Sequence, residues 1–144
     1  MATIQQISVF MENRKGSLSE ITQLLAKSGV NLRALSIAET ADYGVLRLIA
    51  DDAEKASAAL KEHGFVLSLN SVTVISVPDE PAGLSQVLGV LAEGGVDIQY
   101  MYSLFTHQNG KAYMVFRISD EADFTKVVTS HNMTLATAEE LGLK

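Results

Sequence analysis

The chain has 144 residues, 47% hydrophobic and 19% charged, with a formal net charge of −6 at pH 7 and no cysteine. That balance belongs to a folded globular protein, and the acidic surplus argues against nucleic acid, whose phosphates demand a basic face. Disulfides, thiolate catalysis and cysteine-ligated metal are excluded outright.

No apolar run approaches the roughly 20 residues that span a bilayer, so no membrane partner is expected. The start, Met1-Ala2-Thr3-Ile4-Gln5-Gln6, lacks the basic and apolar regions of a signal peptide, and the expected location is cytoplasmic.

Ile7, Val9 and Met11 alternate with Ser8 and Phe10, which predicts a half-buried strand. A polar loop, Glu12 to Gly16, follows. Ser17 with Glu20 three residues later has the form of a capping box opening a helix. Leu18, Ile21, Leu24 and Leu25 share one helical face, and Gly29 is the stop. Leu32 to Thr40 reads as a second strand, Ala41-Asp42-Tyr43-Gly44 as a turn and Val45 to Ala50 as a third strand. Asp52 caps a helix over Ala53 to His63, closed by Gly64, and Val66 to Leu69 is a fourth strand.

Thr73 to Val77 then predicts a strand and Leu84 to Gly94 a helix. Ile98 to His107 and Lys111 to Ser119 form a hairpin across Gln108-Asn109-Gly110, a turn two residues longer than the first. Asp120 caps the last helix, which runs to Ser130 or His131; Leu135 lies in a short final strand, and Glu139 to Leu143 forms a helical turn.

The second half thus repeats the first. Leu18-Ser19-Glu20-Ile21-Thr22-Gln23-Leu24-Leu25 through Gly29-Val30-Asn31-Leu32 returns as Leu84-Ser85-Gln86-Val87-Leu88-Gly89-Val90-Leu91 through Gly95-Val96-Asp97-Ile98, at a constant shift. The expected fold class is α+β: two tandem ferredoxin-like βαββαβ domains, 1–70 and 71–144, each an antiparallel sheet with its helices on one face. Domains of this size are marginal alone, so a shared interface or a homodimer is expected.

Two points in each copy suit ligand chemistry. A helix N-terminus offers unpaired N–H groups and partial positive charge to a carboxylate, and small residues let a ligand approach the backbone. Both copies have small residues there, Gly16-Ser17 and Ala82-Gly83. At the helix-to-strand turn, Asn31 and Asp97 carry side-chain oxygens able to accept from an ammonium group, or equally to cap the turn. A carboxylate socket and an ammonium acceptor together are what a free amino acid needs. His63 and His131 stand at matching helix ends, where the negative dipole end favours them. His107 has no partner at metal-ligand spacing.

Asp79-Glu80-Pro81-Ala82-Gly83-Leu84 followed by Gly95-Val96-Asp97-Ile98 resembles the ACT domain motif, Asp-x-Pro-Gly-x-Leu, a helix, then Gly-Val/Ile-Asn-Ile. Asn13-Arg14-Lys15-Gly16-Ser17-Leu18 followed by Gly29-Val30-Asn31-Leu32 resembles it too, so the likeness covers the whole chain as two tandem ACT-type domains. Asn13 stands for the usual Asp and Lys15 for Pro; Ala82 stands for Gly and Asp97 for Asn.

The resemblance implies a regulatory, allosteric module that binds a free amino acid at the seam of its two domains, with no cofactor, and acts on a protein partner that the sequence does not name. By motif position, one site joins Asn13, Arg14, Lys15, Gly16, Ser17 and Leu18 to Asp97 and Ile98. Its mate joins Asp79, Glu80, Pro81, Ala82, Gly83 and Leu84 to Asn31 and Leu32. The first loop is basic and the second acidic, so the two differ.

An enzyme is not expected, because no nucleophile, base and orienting group assemble in the pattern. An RNA-binding sheet would need exposed aromatics on its central strands, and Val45-Leu46-Arg47-Leu48-Ile49 lacks them. A protein-interaction module whose ligand site has decayed is the alternative.

Overall fold

In a computed structural model, the described residues are 3–12, 14–39 and 42–144. Asn13, Thr40 at the end of the expected second strand and Ala41 at the start of the expected turn lie outside them. The elements run β1 (Ile4–Glu12), α1 (Ser17–Lys27), β2 (Leu32–Glu39), β3 (Tyr43–Ala50), α2 (Ala53–Glu62), β4 (Val66–Pro78), α3 (Gly83–Glu93), β5 (Ile98–Gln108), β6 (Lys111–Ile118) and α4 (Glu121–Ser130).

The chain forms two compact units, Gln5–Asn70 with Gly142–Lys144, and Ser71–Leu141 with Met1–Ile4. The first follows the order βαββαβ and the second the same order with a single bridge at Leu135 in place of the last strand, so the α+β class holds.

In the Gln5–Asn70 unit the strand order is β2-β3-β1-β4, with β1 antiparallel to β3 from Ile7↔Leu48 to Glu12↔Tyr43. The pleat sends Ile7 and Val9 to the same face as Leu46 and Leu48, where they meet Ile21 and Leu25 of α1 and Ala56 and Leu60 of α2. Both helices therefore cover one face. Ile21, Leu25 and Leu60 are at most 1% exposed, and each such burial stabilises by about 1.5–3 kcal/mol. The C-terminal residue joins this unit through Lys144 N–H, which donates to the Asp51 carbonyl at 2.8 Å.

In the Ser71–Leu141 unit, β4 pairs with β6 (Thr73↔Phe116 to Pro78↔Lys111) and β6 with β5. Leu135 bridges Ile75 on the other edge of β4 as a single bridge rather than a strand. Phe116, Phe124 and Leu91 are fully buried beside Ile75, Val77 and Val127. The segment after Leu135 forms turns, and Leu141 N–H donates to the Thr137 and Ala138 carbonyls, a helical turn that begins ahead of the expected Glu139.

Three expectations need correction. The strands predicted at Val66–Leu69 and Thr73–Val77 are one, β4, which runs through Asn70-Ser71 without a break. Polar residues there are accommodated by side-chain bonds: Asn70 Oδ1 accepts from Ser8 Oγ at 2.6 Å, and the Ser71 carbonyl accepts from Arg117 Nη1 at 2.7 Å. The second hairpin turn is not longer. Asn109 and Gly110 take φ of 53° and 70°, a two-residue turn whose twist suits the strands. The extra length lies in β5, 11 residues against 8 in β2, with a register irregularity between Ser103 and His107.

The third correction is at α1. Ser17 is the first helical residue, not the cap; Gly16 occupies the cap position at φ 89° and makes no side-chain bond. The Ser17 hydroxyl donates instead to the Glu12 carbonyl at 3.0 Å. The caps predicted at Asp52 and Asp120 are present: Asp52 Oδ1 accepts from Lys55 N–H at 3.1 Å and Asp120 Oδ1 from Ala122 N–H at 2.9 Å.

Candidate functional site

The two β–α loops share a backbone pattern. In the first, Arg14 N–H donates to the Glu12 carbonyl, Ser17 N–H to Arg14 and Glu20 N–H to Gly16. In the second, Glu80 N–H donates to Pro78, Gly83 N–H to Glu80 and Gln86 N–H to Ala82. The equivalence survives although Gly16 has φ 89° and Ala82 has φ −100°. Alanine at 82 thus keeps the loop's bonds while avoiding the left-handed region that favours glycine.

The side chains differ more. In the first loop the Arg14 charge is paired. Arg14 Nη2 lies 2.8 Å from Glu20 Oε2, and Arg14 Nε lies 3.7 Å from Glu12 Oε2. Glu20, expected to complete a capping box with Ser17, faces Arg14 instead. Lys15 and Gly16 are exposed, Ser17 is buried, and Leu18 packs half-buried against the core. In the second loop Asp79, Glu80, Pro81 and Ala82 are exposed, Gly83 is buried and Leu84 is exposed. Asp79 N–H donates to the Gly110 carbonyl at 2.8 Å, which ties this loop to the β5–β6 hairpin.

Each helix-to-strand turn is fastened to the end of the third strand of its own unit, by different groups. Asn31 and Asp51 exchange two bonds: Asn31 N–H donates to Asp51 Oδ1 at 3.0 Å, and Asp51 N–H to the Asn31 carbonyl at 2.9 Å. In the second unit Ser119 N–H donates to the Asp97 carbonyl, and Ser119 Oγ to Asp97 Oδ2 at 3.2 Å. The carboxylate has changed sides. The Asn31 and Asp97 side chains are both exposed, next to the half-buried Leu32 and Ile98.

Within one unit the loop and the turn lie at opposite ends of α1 or α3. Each helix has 11 residues, about 16 Å at 1.5 Å per residue. Neither unit brings its own loop and its own turn to one amino acid.

The histidines at the helix ends bond to the helix. His63 Nδ1 lies 3.0 Å from the Ala59 carbonyl and His131 Nδ1 3.1 Å from the Val127 carbonyl. Among the described residues no group of three His, Asp or Glu side chains is placed to hold a metal, and no helix is long and apolar enough to cross a membrane.

A cleft of about 280 Å³ adjoins the first loop, and its residues escaped sequence reasoning in part. Phe10, Met11 and Glu12 of β1, Arg14, Ser17 and Glu20 of the loop and α1, and Gly64, Phe65 and Val66 from the α2–β4 connection line it. Nothing in the repeat pattern places Phe65 and Val66 beside Arg14; the antiparallel return of the chain does.

A family model for the ACT domain pair matches residues 2–143. Among solved structures, protein BT0572 from Bacteroides thetaiotaomicron is 41% identical, with a TM-score of 0.87 over 97% of this chain and 96% of that one. The ligand-free regulatory subunit of aspartate kinase from Thermus thermophilus shares the fold, at 16% identity and TM-score 0.61 over 89% and 90% of the two chains. Escherichia coli aspartokinase III in complex with lysine and aspartate shares it at 13% identity and TM-score 0.52, over 90% of this chain and 31% of that one. No curated protein matches. Two units of like element order, each with the loop and turn of the motif, and the match over nearly all residues lead to one conclusion: the chain belongs to the ACT domain pair family.

Proposed function

We propose that this protein is a regulatory module that binds a free amino acid and passes the signal on by a change in assembly or in contact with a protein partner. ACT domain pairs are typical of amino-acid-binding regulatory modules. The observation that carries the reading to this chain is the repeated loop. Both β–α loops keep the same backbone bonds at the start of a helix, where N–H groups and the dipole favour a carboxylate. The proposed contacts are Asn13, Arg14, Lys15, Gly16, Ser17 and Leu18 of the first loop and Asp79, Glu80, Pro81, Ala82, Gly83 and Leu84 of the second. Asn31, Leu32, Asp97 and Ile98 at the turns complete the set. The module acts as a homodimer and has no catalytic role.

Thermal unfolding against each free amino acid tests this. A ligand present at 100 times its dissociation constant stabilises by roughly 2.7 kcal/mol. A rise in unfolding temperature with one amino acid, or a few related ones, is the expected outcome. The same oligomeric state and partners with and without that ligand overturn the switching role.

A second reading, an interaction module with a decayed ligand site, draws on the second loop. Its Gly83 is buried and packed onto the backbone, and Leu84 faces solvent, so that loop has less of a cradle than the first. No shift with any amino acid is the result that favours it.

A further inference from the structure

We infer that the cleft beside Arg14 binds an amino acid with an apolar side chain, by inserting its two charged groups into the Arg14–Glu20 ion pair. The inference rests on the amino-acid-binding reading above and names the ligand class and the site within one unit.

The cleft combines three chemistries that a zwitterion with an apolar side chain requires together. Arg14 presents a planar guanidinium suited to a carboxylate. Glu20 and Glu12 present carboxylates within 2.8 and 3.7 Å of it, suited to an ammonium. Met11, Phe65 and Val66 supply an apolar wall, and Val66 is 69% exposed. The volume, about 280 Å³, is at the low end for small-molecule sites and suits a single amino acid rather than a nucleotide.

The exchange is balanced in charge. The ligand carboxylate takes the place of Glu20 on Arg14, and the ligand ammonium takes the place of Arg14 on Glu20. The broken pair is more than half exposed on both sides, and such pairs contribute little, so their separation costs little. The turn of the same unit is a helix length away, so the ammonium partner nearest this loop is Glu20 rather than Asn31. No counterpart exists in the second loop, where Asp79, Glu80 and Pro81 replace Asn13, Arg14 and Lys15 and no guanidinium is present.

The test is calorimetric titration of the full chain with leucine, glycine, lysine, glutamate and 4-methylpentanoate, which is leucine without its amino group. Leucine is expected to bind at least tenfold more tightly than glycine, lysine or glutamate. Arg14→Ala is expected to weaken leucine binding roughly tenfold to a hundredfold, as loss of a charge-assisted bond does. Glu20→Gln separates this proposal from a simple anion site. It is expected to weaken leucine, which loses its ammonium partner, and to leave 4-methylpentanoate unchanged or tighter, since its competitor for Arg14 is gone. Both residues are exposed, and circular dichroism of the variants checks that they fold.

Leucine binding that survives Arg14→Ala, or a preference for a charged amino acid, overturns the cleft assignment. If such binding is lost instead on Asn31→Ala or Asp97→Ala, the regulatory reading stands and only the cleft falls. No binding of any amino acid by the unaltered chain overturns both.

Discussion

Gly83 lies so close to the carbonyl oxygen of Pro78 that a Cβ at this position would overlap it. At the matching point of the first repeat, Ser17 reaches the Glu12 carbonyl with a hydroxyl, at 3.0 Å. The two units fix the same helix start against the end of the preceding strand, one by a hydrogen bond and one by close packing. Gly83→Ala must push the backbone apart and is expected to destabilise by about 1–3 kcal/mol. Chemical denaturation read by circular dichroism measures it; a change under 0.5 kcal/mol means the helix shifts freely.

Ser17→Ala removes the hydroxyl but leaves no orphan, because the Glu12 carbonyl still accepts from Arg14 N–H at 2.9 Å. The expected loss is about 1 kcal/mol, the net value of one hydrogen bond. Ser17→Gly is expected to lose more, since it adds backbone freedom in the first turn of a helix. Equal stability of the Ala and Gly variants contradicts this account of the position.

The ends of α2 and α4 make a matched pair. Gly64 takes φ 82° and Asn132, its counterpart, takes φ 50°. In both, the next residue's N–H closes back onto the helix: Phe65 to Leu60, and Met133 to Val128. Asn132→Gly is therefore expected to gain about 0.5 kcal/mol by relieving left-handed strain, and Gly64→Ala to lose about 1 kcal/mol. Opposite signs in thermal unfolding are the check.

Asp52→Ala and Asp120→Ala each remove a side-chain oxygen that accepts from the first turn of a helix. Each is expected to cost about 1 kcal/mol. Asn is expected to rescue most of the loss at either position, because its amide oxygen caps as well. Failure of Asn to rescue shows that charge, not the hydrogen bond, stabilises these helices.

Phe124→Ala is expected to be the most damaging of these changes, at about 3–5 kcal/mol, because Phe124 is fully buried among Ile75, Leu91 and Phe116. A cooperative unfolding transition that moves by only a few tenths of a kcal/mol shows that the cluster collapses around the gap.

By itself the amino-acid sequence determined the repeat, the four helices, the glycine stops at Gly29 and Gly64, the two aspartate caps and the order of elements along the first unit. All of these depend on residues close in the chain: the spacing of apolar side chains, and groups that reach backbone within one turn. Family membership was legible for the same reason, since the motif is a loop, a helix and a turn. The tertiary structure decided the rest. Ser17 reads as a cap until the end of β1 places the Glu12 carbonyl beside its hydroxyl. Asn70 and Ser71 read as a break until Ser8 and Arg117, far away in sequence, hydrogen-bond to them and keep β4 continuous. The first loop reads as basic until Glu20 faces Arg14, and the apolar neighbours Phe65 and Val66 come from the far side of α2. Each of these depends on which distant group the folded chain returns to the same place, and no local pattern encodes that return.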